Sequence, residues 1–281
     1  MNRWLARFVV LVVVATVALG AGVGTAAAAE GKPSKVPKAK LTEKPFRGIT
    51  LVTIGNRVVC TGFVVAPNKV VTAAHCLVRN ASEGKYQLKS GLPQGIRVYR
   101  GFSRIFGPPV YRSCGVSKAW AHAKFVKGGK GDKVYGSRTH DYAVLTTKCT
   151  FPRNAILRMW GTTAGDGTLT SGQRVRTAGY PAHPRFDDMN GLNMWRTEGR
   201  VRPVGREPRH LPFTGFVAAG MSGGPVWRTY NQDSPCGRTQ CVVGIVTECA
   251  INAKGLCKMG TDSDRLAVRI TPQVKQLIKR K

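Results

Sequence analysis

Short runs of apolar and β-branched residues alternate with stretches rich in Gly, Pro and polar residues along most of the chain. Runs of this length and composition, bounded by turn residues, predict β-strands. The predicted strands lie at residues 58–66, 70–72, 96–99, 142–147, 173–177, 215–217, 225–227, 242–247 and 266–270. Many short strands with little helical periodicity favour an all-β barrel or sandwich.

The last residues follow a different pattern. Thr271 and Pro272 are typical of a helix start, and Val274, Leu277 and Ile278 then fall on one helical face. The sequence therefore predicts one C-terminal helix.

Residues 1–29 have the features of a secretory signal peptide. Arg3 and Arg7 precede an apolar run over residues 8–19, and small residues continue to Ala29. The alternative is a retained membrane anchor, but the continuous bulky apolar part is short for a spanning helix. We expect cleavage, secretion, and a mature chain without an integral membrane span.

Residues 30–46 form a Lys- and Pro-rich segment that we interpret as a flexible arm or short pro-segment, because it lacks a bulky apolar face. The formal net charge of +30 falls to +28 once Arg3 and Arg7 are removed. Such a charge favours contact with anionic polymers or acidic proteins. Because the positive charges are spread along the chain, we expect a solvated basic coat with non-specific contacts and no specific nucleic-acid site. We also expect a monomer.

All eight cysteines lie beyond the signal segment: Cys60, Cys76, Cys114, Cys149, Cys236, Cys241, Cys249 and Cys257. An even number in an exported chain predicts disulfides. A zinc site is the alternative, but no C-x-x-C occurs and no His stands at finger spacing from a Cys pair. We therefore expect no metal and no other cofactor.

Three segments carry candidate chemistry: residues 72–76 (TAAHC), 140–145 (HDYAVL) and 220–225 (GMSGGP). A serine hydroxyl needs a neighbouring base to become a nucleophile, and the base needs a partner that sets its tautomer. Ser222, His75 and Asp141 supply these three residue types. The glycines around Ser222 permit a tight turn, in which the N–H groups of Gly220 and Ser222 could stabilise an oxyanion.

The order of these residues along the chain separates the hydrolase classes. The α/β-hydrolases use Ser, then the acid, then His, but no histidine follows His210 here. The subtilisin order places Asp before His, but the first aspartate in this chain is Asp132. The order His, Asp, Ser remains.

On these motifs, together with residues 244–247 (GIVT), the chain resembles the chymotrypsin-like (trypsin-like) serine proteases of the bacterial secreted branch. The resemblance implies two six-stranded antiparallel β-barrels with the active site between them and a C-terminal helix. It places this protease domain at residues 47–281. It also implies a Cys60–Cys76 disulfide beside the catalytic histidine.

Several positions depart from the family pattern or define its specificity. Met221 precedes the nucleophile where trypsin-like members have the Asp that pairs with a new N-terminus. Phe216 stands at the expected floor of the primary specificity pocket and argues against a preference for Lys or Arg. Thr247 and Glu248 are expected at the strand edge that pairs with substrate. Residues 179–181 (GYP) are similar to glutamyl endopeptidases, whose pocket histidine has no counterpart here.

The remaining cysteines are paired by sequence neighbourhood, as Cys114–Cys149, Cys236–Cys241 and Cys249–Cys257. For function, the sequence leaves two hypotheses. The first is a secreted serine endopeptidase that works through an acyl-enzyme. The second is a non-catalytic basic protein that binds an anionic polymer or a cell surface on a protease-like fold.

Overall fold

The structure is a computed structural model. It describes residues 32–55, 57–77, 95–103, 113–127, 138–165, 167, 169–182, 189–204, 207–229, 236, 239–249 and 265–281. The predicted signal peptide, residues 1–29, lies outside these ranges. Within them, no helix is both long and apolar enough to cross a membrane.

The first half of the chain forms a closed six-stranded barrel in the order β2-β3-β4-β7-β6-β5. Its strands are β2 (Ile49–Ile54), β3 (Arg57–Ala66), β4 (Lys69–Thr72), β5 (Ile96–Arg100), β6 (Cys114–Ala121) and β7 (Ala143–Thr147). All neighbouring pairs are antiparallel. The alternation along β7 sends Ala143 and Leu145 into the barrel interior, whereas Val144 faces outward into a second apolar cluster.

The second half forms an eight-stranded sheet whose central six strands follow the order β10-β9-β12-β13-β14-β11. The sheet contains β8 (Arg158–Met159), β9 (Arg174–Gly179), β10 (Trp195–Arg200), β11 (His210–Phe213), β12 (Pro225–Thr229), β13 (Gln240–Cys249) and β14 (Arg265–Arg269). A bridge between Val201 and Phe213 brings β11 back to the end of β10. The six strands therefore surround a second apolar interior.

Two very short strands extend this sheet beyond the predicted pattern. β1 (Ser34–Lys35) pairs with β10, and β8 adds a parallel pair to β13. The helices are α1 (Ala123–Lys127) and α2 (Pro272–Arg280), and the Thr271 hydroxyl caps α2 by accepting the Val274 N–H. The predicted fold class and C-terminal helix are confirmed.

The apolar cluster between the barrels contains residues from strands of both halves and from both ends of the described chain. Val71 and Val144 enter it from the first barrel, and Ile245 and Val268 enter it from the second. Ile278 of α2 completes it from the C-terminus. This packing holds together the two halves, each of which carries part of the candidate site.

One predicted strand is absent and the expected flexibility of the N-terminal arm is wrong, whereas its interpretation as a pro-segment stays a prediction. Residues 215–217 form no strand, because Gly215 has a φ of +115° that takes the chain out of the extended region. The described part of the arm, residues 32–46, is packed rather than flexible. Its few apolar residues, Val36, Leu41 and Phe46, are buried in the cluster between the barrels.

Leu41→Ala is expected to lower the free energy of unfolding by about 2–5 kcal/mol. Leu41 is 0% exposed, so the substitution removes buried apolar atoms and leaves a cavity that the surrounding residues fill only partly. A urea titration of the variant and the parent measures the loss. The matched control is Lys38→Ala, an exposed position on the same 3₁₀ turn, Lys38–Thr42. If the two variants unfold at the same urea concentration, the segment contributes nothing to the core.

Three of the four predicted cysteine pairs are disulfides in the structure: Cys60–Cys76, Cys114–Cys149 and Cys236–Cys241. The first joins β3 to the turn that carries His75. The second joins the start of β6 to the residues after β7. The fourth prediction, Cys249–Cys257, lies outside the described residues because Cys257 is not among them.

Candidate active site

His75 lies on a short 3₁₀ turn, Ala74–Cys76, directly after β4. Ala73 and Ala74 are completely buried, so small side chains allow the turn to pack closely against the barrel. The Cys60–Cys76 disulfide ties the turn to β3. The His75 side chain remains about one third exposed, at 33%. The ring is thus fixed at its base and open to solvent at its other edge.

Asp141 lies between a 3₁₀ turn, Arg138–His140, and the start of β7, and it is only 2% exposed. One carboxylate oxygen, Oδ1, accepts the backbone N–H of His75 at 2.8 Å. The other, Oδ2, lies 2.6 Å from His75 Nδ1. Because an ionised carboxylate only accepts hydrogen bonds, Nδ1 carries the proton and neutral His75 has its lone pair on Nε2. That tautomer is the one that a general base requires.

Ser222 lies in a turn between Met221 and β12. Its carbonyl oxygen accepts the backbone N–H of Thr61 at 2.9 Å and lies 3.9 Å from the Cys76 sulfur, beside His75. The turn is therefore hydrogen-bonded to β3, the strand that the Cys60–Cys76 disulfide links to the histidine turn. The Ser222 hydroxyl makes a long hydrogen bond, 3.5 Å, to the Thr247 carbonyl oxygen.

The glycines of this turn are required by its geometry. Gly220 has a φ of +86°, and a Cβ there would lie 2.3 Å from the Tyr180 carbonyl oxygen. Gly223 has a φ of +83°, and its Cβ would lie 2.2 Å from the Thr61 carbonyl oxygen. Any other residue would be strained and would displace neighbouring backbone.

Thr61 is a positioning residue that the sequence reasoning missed. Its buried hydroxyl donates to the Gly220 carbonyl oxygen at 2.7 Å and accepts the Tyr180 N–H at 3.0 Å. Thr72 donates to the Thr61 carbonyl oxygen. A threonine within a valine-rich strand carries no local signal of such a role, because threonine is common in strands.

The two predicted oxyanion donors are available within the described ranges. There, the N–H groups of Gly220 and Ser222 donate to no acceptor. The alternating neighbours are engaged, since Met221 N–H donates to Ala218 O at 3.0 Å and Gly223 N–H donates to Val246 O at 2.7 Å. This alternation leaves two nearby donors without a protein acceptor, as an oxyanion hole needs.

Thr247 and the backbone of Glu248 lie near the end of β13, where β14 pairs along one side. On the other side, the ladder with β12 ends at Ile245, and Val246 bonds to the glycines of the serine turn. Among the described residues, no strand continues that side past Val246. Within the described ranges, the edge at Thr247 and Glu248 has no strand partner on this side, as pairing with an extended peptide would require.

Phe216 is 4% exposed and packs with Val217, Ala218 and Met221 in the interior of the second barrel. Its N–H donates to the Thr197 hydroxyl at 3.2 Å. Met221 is 1% exposed in the same apolar cluster and has no charge with which to bind a free amino terminus. That Phe216 forms the floor of a substrate pocket remains a prediction.

Arg265 is a buried cation beside this segment that the sequence reasoning did not single out. It is 2% exposed, and its Nε donates to the Gly215 carbonyl oxygen at 3.0 Å. Burial lowers the pKa of the guanidinium. In a chain with so many basic residues, the sequence offers no means to distinguish this arginine from those at the surface.

The other described histidines have contacts of their own, whereas both oxygens of the Asp141 carboxylate are hydrogen-bonded to His75. The His122 and His140 rings stack 4.4 Å apart, and Arg209 approaches His140 Nε2 at 2.9 Å. Burial lowers the pKa of His122 and of His210, so both are neutral at neutral pH. His75 is therefore the described histidine that we consider as the general base.

One group in the described chain has the spacing of a metal site. The two sulfurs of Cys60 and Cys76 and a ring nitrogen of His75 lie within 4.8 Å of one another. Both sulfurs belong to one disulfide. A disulfide sulfur is not a thiolate and cannot supply the ligand that zinc takes from cysteine. This cluster therefore does not fit a zinc ion.

Comparison with known proteins agrees with this geometry. The sequence model of the trypsin-like peptidase domain matches residues 60–232. A solved structure described as "Structure of Glu endopeptidase in complex with MPD" has the same fold, with a TM-score of 0.64 and 19% identity over 89% of this chain and 96% of that chain. No curated protein matches the sequence. The chain belongs to the trypsin-like peptidase domain family.

Proposed function

We propose that this chain is a secreted serine endopeptidase in which Ser222 is the nucleophile, His75 the general base and Asp141 the group that orients the base. The observation that carries the proposal is the pair of hydrogen bonds from His75 to buried Asp141. A non-catalytic protein has no need for a carboxylate that fixes both the backbone and the ring of one histidine. The binding-protein hypothesis is therefore the weaker one.

The reaction follows from the arrangement of these groups. Ser222 Oγ attacks the scissile carbonyl carbon while His75 Nε2 takes its proton, and the imidazolium is stabilised by Asp141. In this structure the hydroxyl makes only a long hydrogen bond, to Thr247 O, and its proton is redirected to His75 Nε2 for the transfer. The N–H groups of Gly220 and Ser222 bind the oxyanion. His75 then donates the proton to the leaving amine.

The second half of the reaction uses the same groups. Water replaces the leaving amine, His75 takes a proton from it, and the hydroxide attacks the acyl carbon bound to Ser222. Collapse of the second tetrahedral intermediate releases the acid and returns the proton to Ser222. No step needs a metal or an organic cofactor.

Secretion is supported by the covalent structure. Three disulfides link the described residues. Disulfides persist in oxidising compartments outside the cytosol. Together with the signal-like residues 1–29, they support export and cleavage before residue 30. We propose residues 47–281 as the peptidase domain, with residues 32–46 packed onto it.

Cleavage of a peptide library is expected to show peptide-bond hydrolysis with little cutting after Lys or Arg. Phe216 gives the proposed pocket an apolar floor, and Arg265 places a guanidinium beside the same segment. A cationic side chain would meet a like charge there, so we expect kcat/KM to be more than about tenfold lower after Lys or Arg than after the preferred residues.

Mass spectrometry of the cleaved library, without reducing agent, measures both the activity and the preference. The matched control is the Ser222→Ala chain on the same library, which identifies cuts made by a contaminating peptidase. A chain that cuts no peptide would overturn the proposed function. A strong Lys or Arg preference would leave the function intact and overturn the interpretation of the pocket.

A further inference from the structure

A cavity of about 480 Å³ lies between the N-terminal segment and the outer face of β9 and β10, and we name it the basic cavity. Seven of its lining residues are Lys or Arg and two are Glu, a formal excess of five positive charges. Lys32, Lys40 and Lys44 come from the N-terminal segment, and the four arginines come from the two strands. None of these residues belongs to the candidate active site.

Both glutamates that line the basic cavity are paired with a cationic side chain of the same cavity. Arg176 Nε lies 2.6 Å from Glu198, and Lys40 Nζ lies 2.8 Å from Glu43. Two of the other arginines are oriented by neutral oxygens: Arg196 donates to the Ser34 hydroxyl at 3.3 Å, and Arg200 donates to the Gly172 carbonyl oxygen at 3.0 Å. These bonds help to hold the two guanidinium groups in place, and the Ser34 hydroxyl that Arg196 contacts is neutral.

The strand register places like charges opposite each other. Arg174 on β9 stands directly across from Arg200 on β10. Like charges at opposed positions destabilise a sheet. An anion bound between the two guanidinium groups would convert this repulsion into attraction. The register is thus an observation, independent of the overall basic charge, that points to an anionic ligand.

The spacing of the arginines points to an extended ligand rather than a single small anion. Arg196 and Arg200 are four residues apart on the same face of β10, a distance of about 13 Å along a strand. The neutral Arg176–Glu198 pair lies between them. One phosphate or sulfate could contact only one end, whereas a linear chain of anionic groups could contact both.

Two kinds of extended anionic ligand could fit the basic cavity: an acidic peptide, or a polymer that carries its charges in the backbone. The covered edge of β10 favours the polymer. An acidic peptide would gain affinity by pairing with a sheet edge. The edge of β10 at Trp195 and Arg196 is already occupied by β1. Only side-chain cations remain to recognise the ligand, and the planar fork of arginine suits phosphate oxygens.

We infer that the basic cavity binds a linear phosphodiester polymer through its backbone, at a site separate from the catalytic one. The aromatic residues of the wall, Phe46 and Trp227, pack edge to face and are 7% and 2% exposed. They offer no face on which a base could stack. Recognition is therefore independent of bases, and bound polymer would hold the peptidase at an anionic surface.

The test is fluorescence anisotropy of the full mature chain with a labelled abasic hexamer, which has deoxyribose phosphodiesters and no bases. Arg174→Gln and Arg196→Gln are each expected to raise Kd about threefold to tenfold, since each removes one phosphate contact. The double variant should also reduce the slope of log Kd against log salt concentration by about 1.4, or 0.7 for each contact. Both arginines are exposed strand residues, so the variants should retain fold and peptidase activity.

Arg153→Gln is the matched control, because it removes one exposed arginine that does not line the cavity. It should change Kd less than about twofold. If all three substitutions raise Kd equally, the polymer binds through the general positive charge of the surface, and the proposal of a site in the basic cavity is overturned. A hexaglutamate peptide that binds as tightly as the abasic hexamer would overturn the ligand class, and a hexathymidylate that binds much more tightly would overturn base-independent recognition.

Discussion

Ser222→Ala is expected to lower kcat for peptide hydrolysis about a millionfold while leaving the fold unchanged. The substitution removes the oxygen atom that forms the acyl-enzyme in the proposed mechanism. The Ser222 hydroxyl has one long hydrogen bond, to Thr247 O, so its loss should have little effect on stability. Initial rates on casein and on a peptide taken from the cleavage profile measure the effect.

The matched control for this variant is Ser117→Ala. Ser117 is an exposed residue on β6 whose hydroxyl also donates to a strand carbonyl oxygen, that of Thr146 at 3.1 Å. It should retain the parent rate. Ser222→Ala protein that hydrolyses casein at a rate within tenfold of the parent would exclude Ser222 as the nucleophile.

Asp141→Asn is expected to lower kcat about ten-thousandfold, because the substitution changes the tautomer of His75 rather than its position. The single oxygen of the new amide can accept either the His75 backbone N–H or the ring Nδ1–H, whereas the aspartate accepts both. If the oxygen keeps the backbone bond, the amide NH₂ faces Nδ1 and turns it into an acceptor. The proton then moves to Nε2, which can no longer act as a base.

Comparison of kcat for Asp141→Asn and the parent, at matched folded fractions, measures this effect. Glu207→Gln makes the same change of a carboxylate to an amide, at a side chain that accepts the Arg209 N–H, and should leave kcat unchanged. Loss of less than tenfold in Asp141→Asn would mean that Asp141 does not orient the base. A variant that fails to fold would be recognised by loss of its urea transition, and Asp141→Glu would then provide the second comparison.

The architecture could be predicted where the local pattern and the tertiary environment agree. β-branched runs bounded by turn residues predicted β3, β4 and β13, because each of these strands has buried faces for its valines and isoleucine. The triplet at residues 215–217 has a similar composition. It is not a strand because Gly215 has a left-handed φ and Phe216 turns into the barrel interior. Composition alone cannot distinguish a buried loop from a short strand.

The N-terminal segment shows how sparse apolar residues can mislead. A Lys- and Pro-rich segment has too few apolar residues to form a core by itself. Val36, Leu41 and Phe46 are buried because the cluster between the barrels already exists and accepts them. Whether such residues are buried depends on the surface against which they lie, and that surface is formed by residues far away in the sequence.

The three proposed catalytic side chains could be selected from the sequence because their chemistry is uncommon and their order along the chain excludes other hydrolases. Two buried polar residues that bond to loop backbone could not be selected in this way. Thr61 holds the serine turn from a strand 159 residues away, and Arg265 donates to Gly215 O from β14, which pairs with the strand just before Gly215. Neither is chemically unusual for its segment, so only the tertiary structure identifies them.

The central claim is that Ser222 is activated by the His75–Asp141 pair, and labelling with a fluorophosphonate probe tests it most directly. The folded chain is treated with the probe, and the adduct is counted by intact mass and located by peptide mapping. We predict one adduct per chain, on Ser222, and none in the His75→Ala variant. A folded chain that takes up no probe, or that is labelled at another residue while Ser222 stays unmodified, would contradict the account.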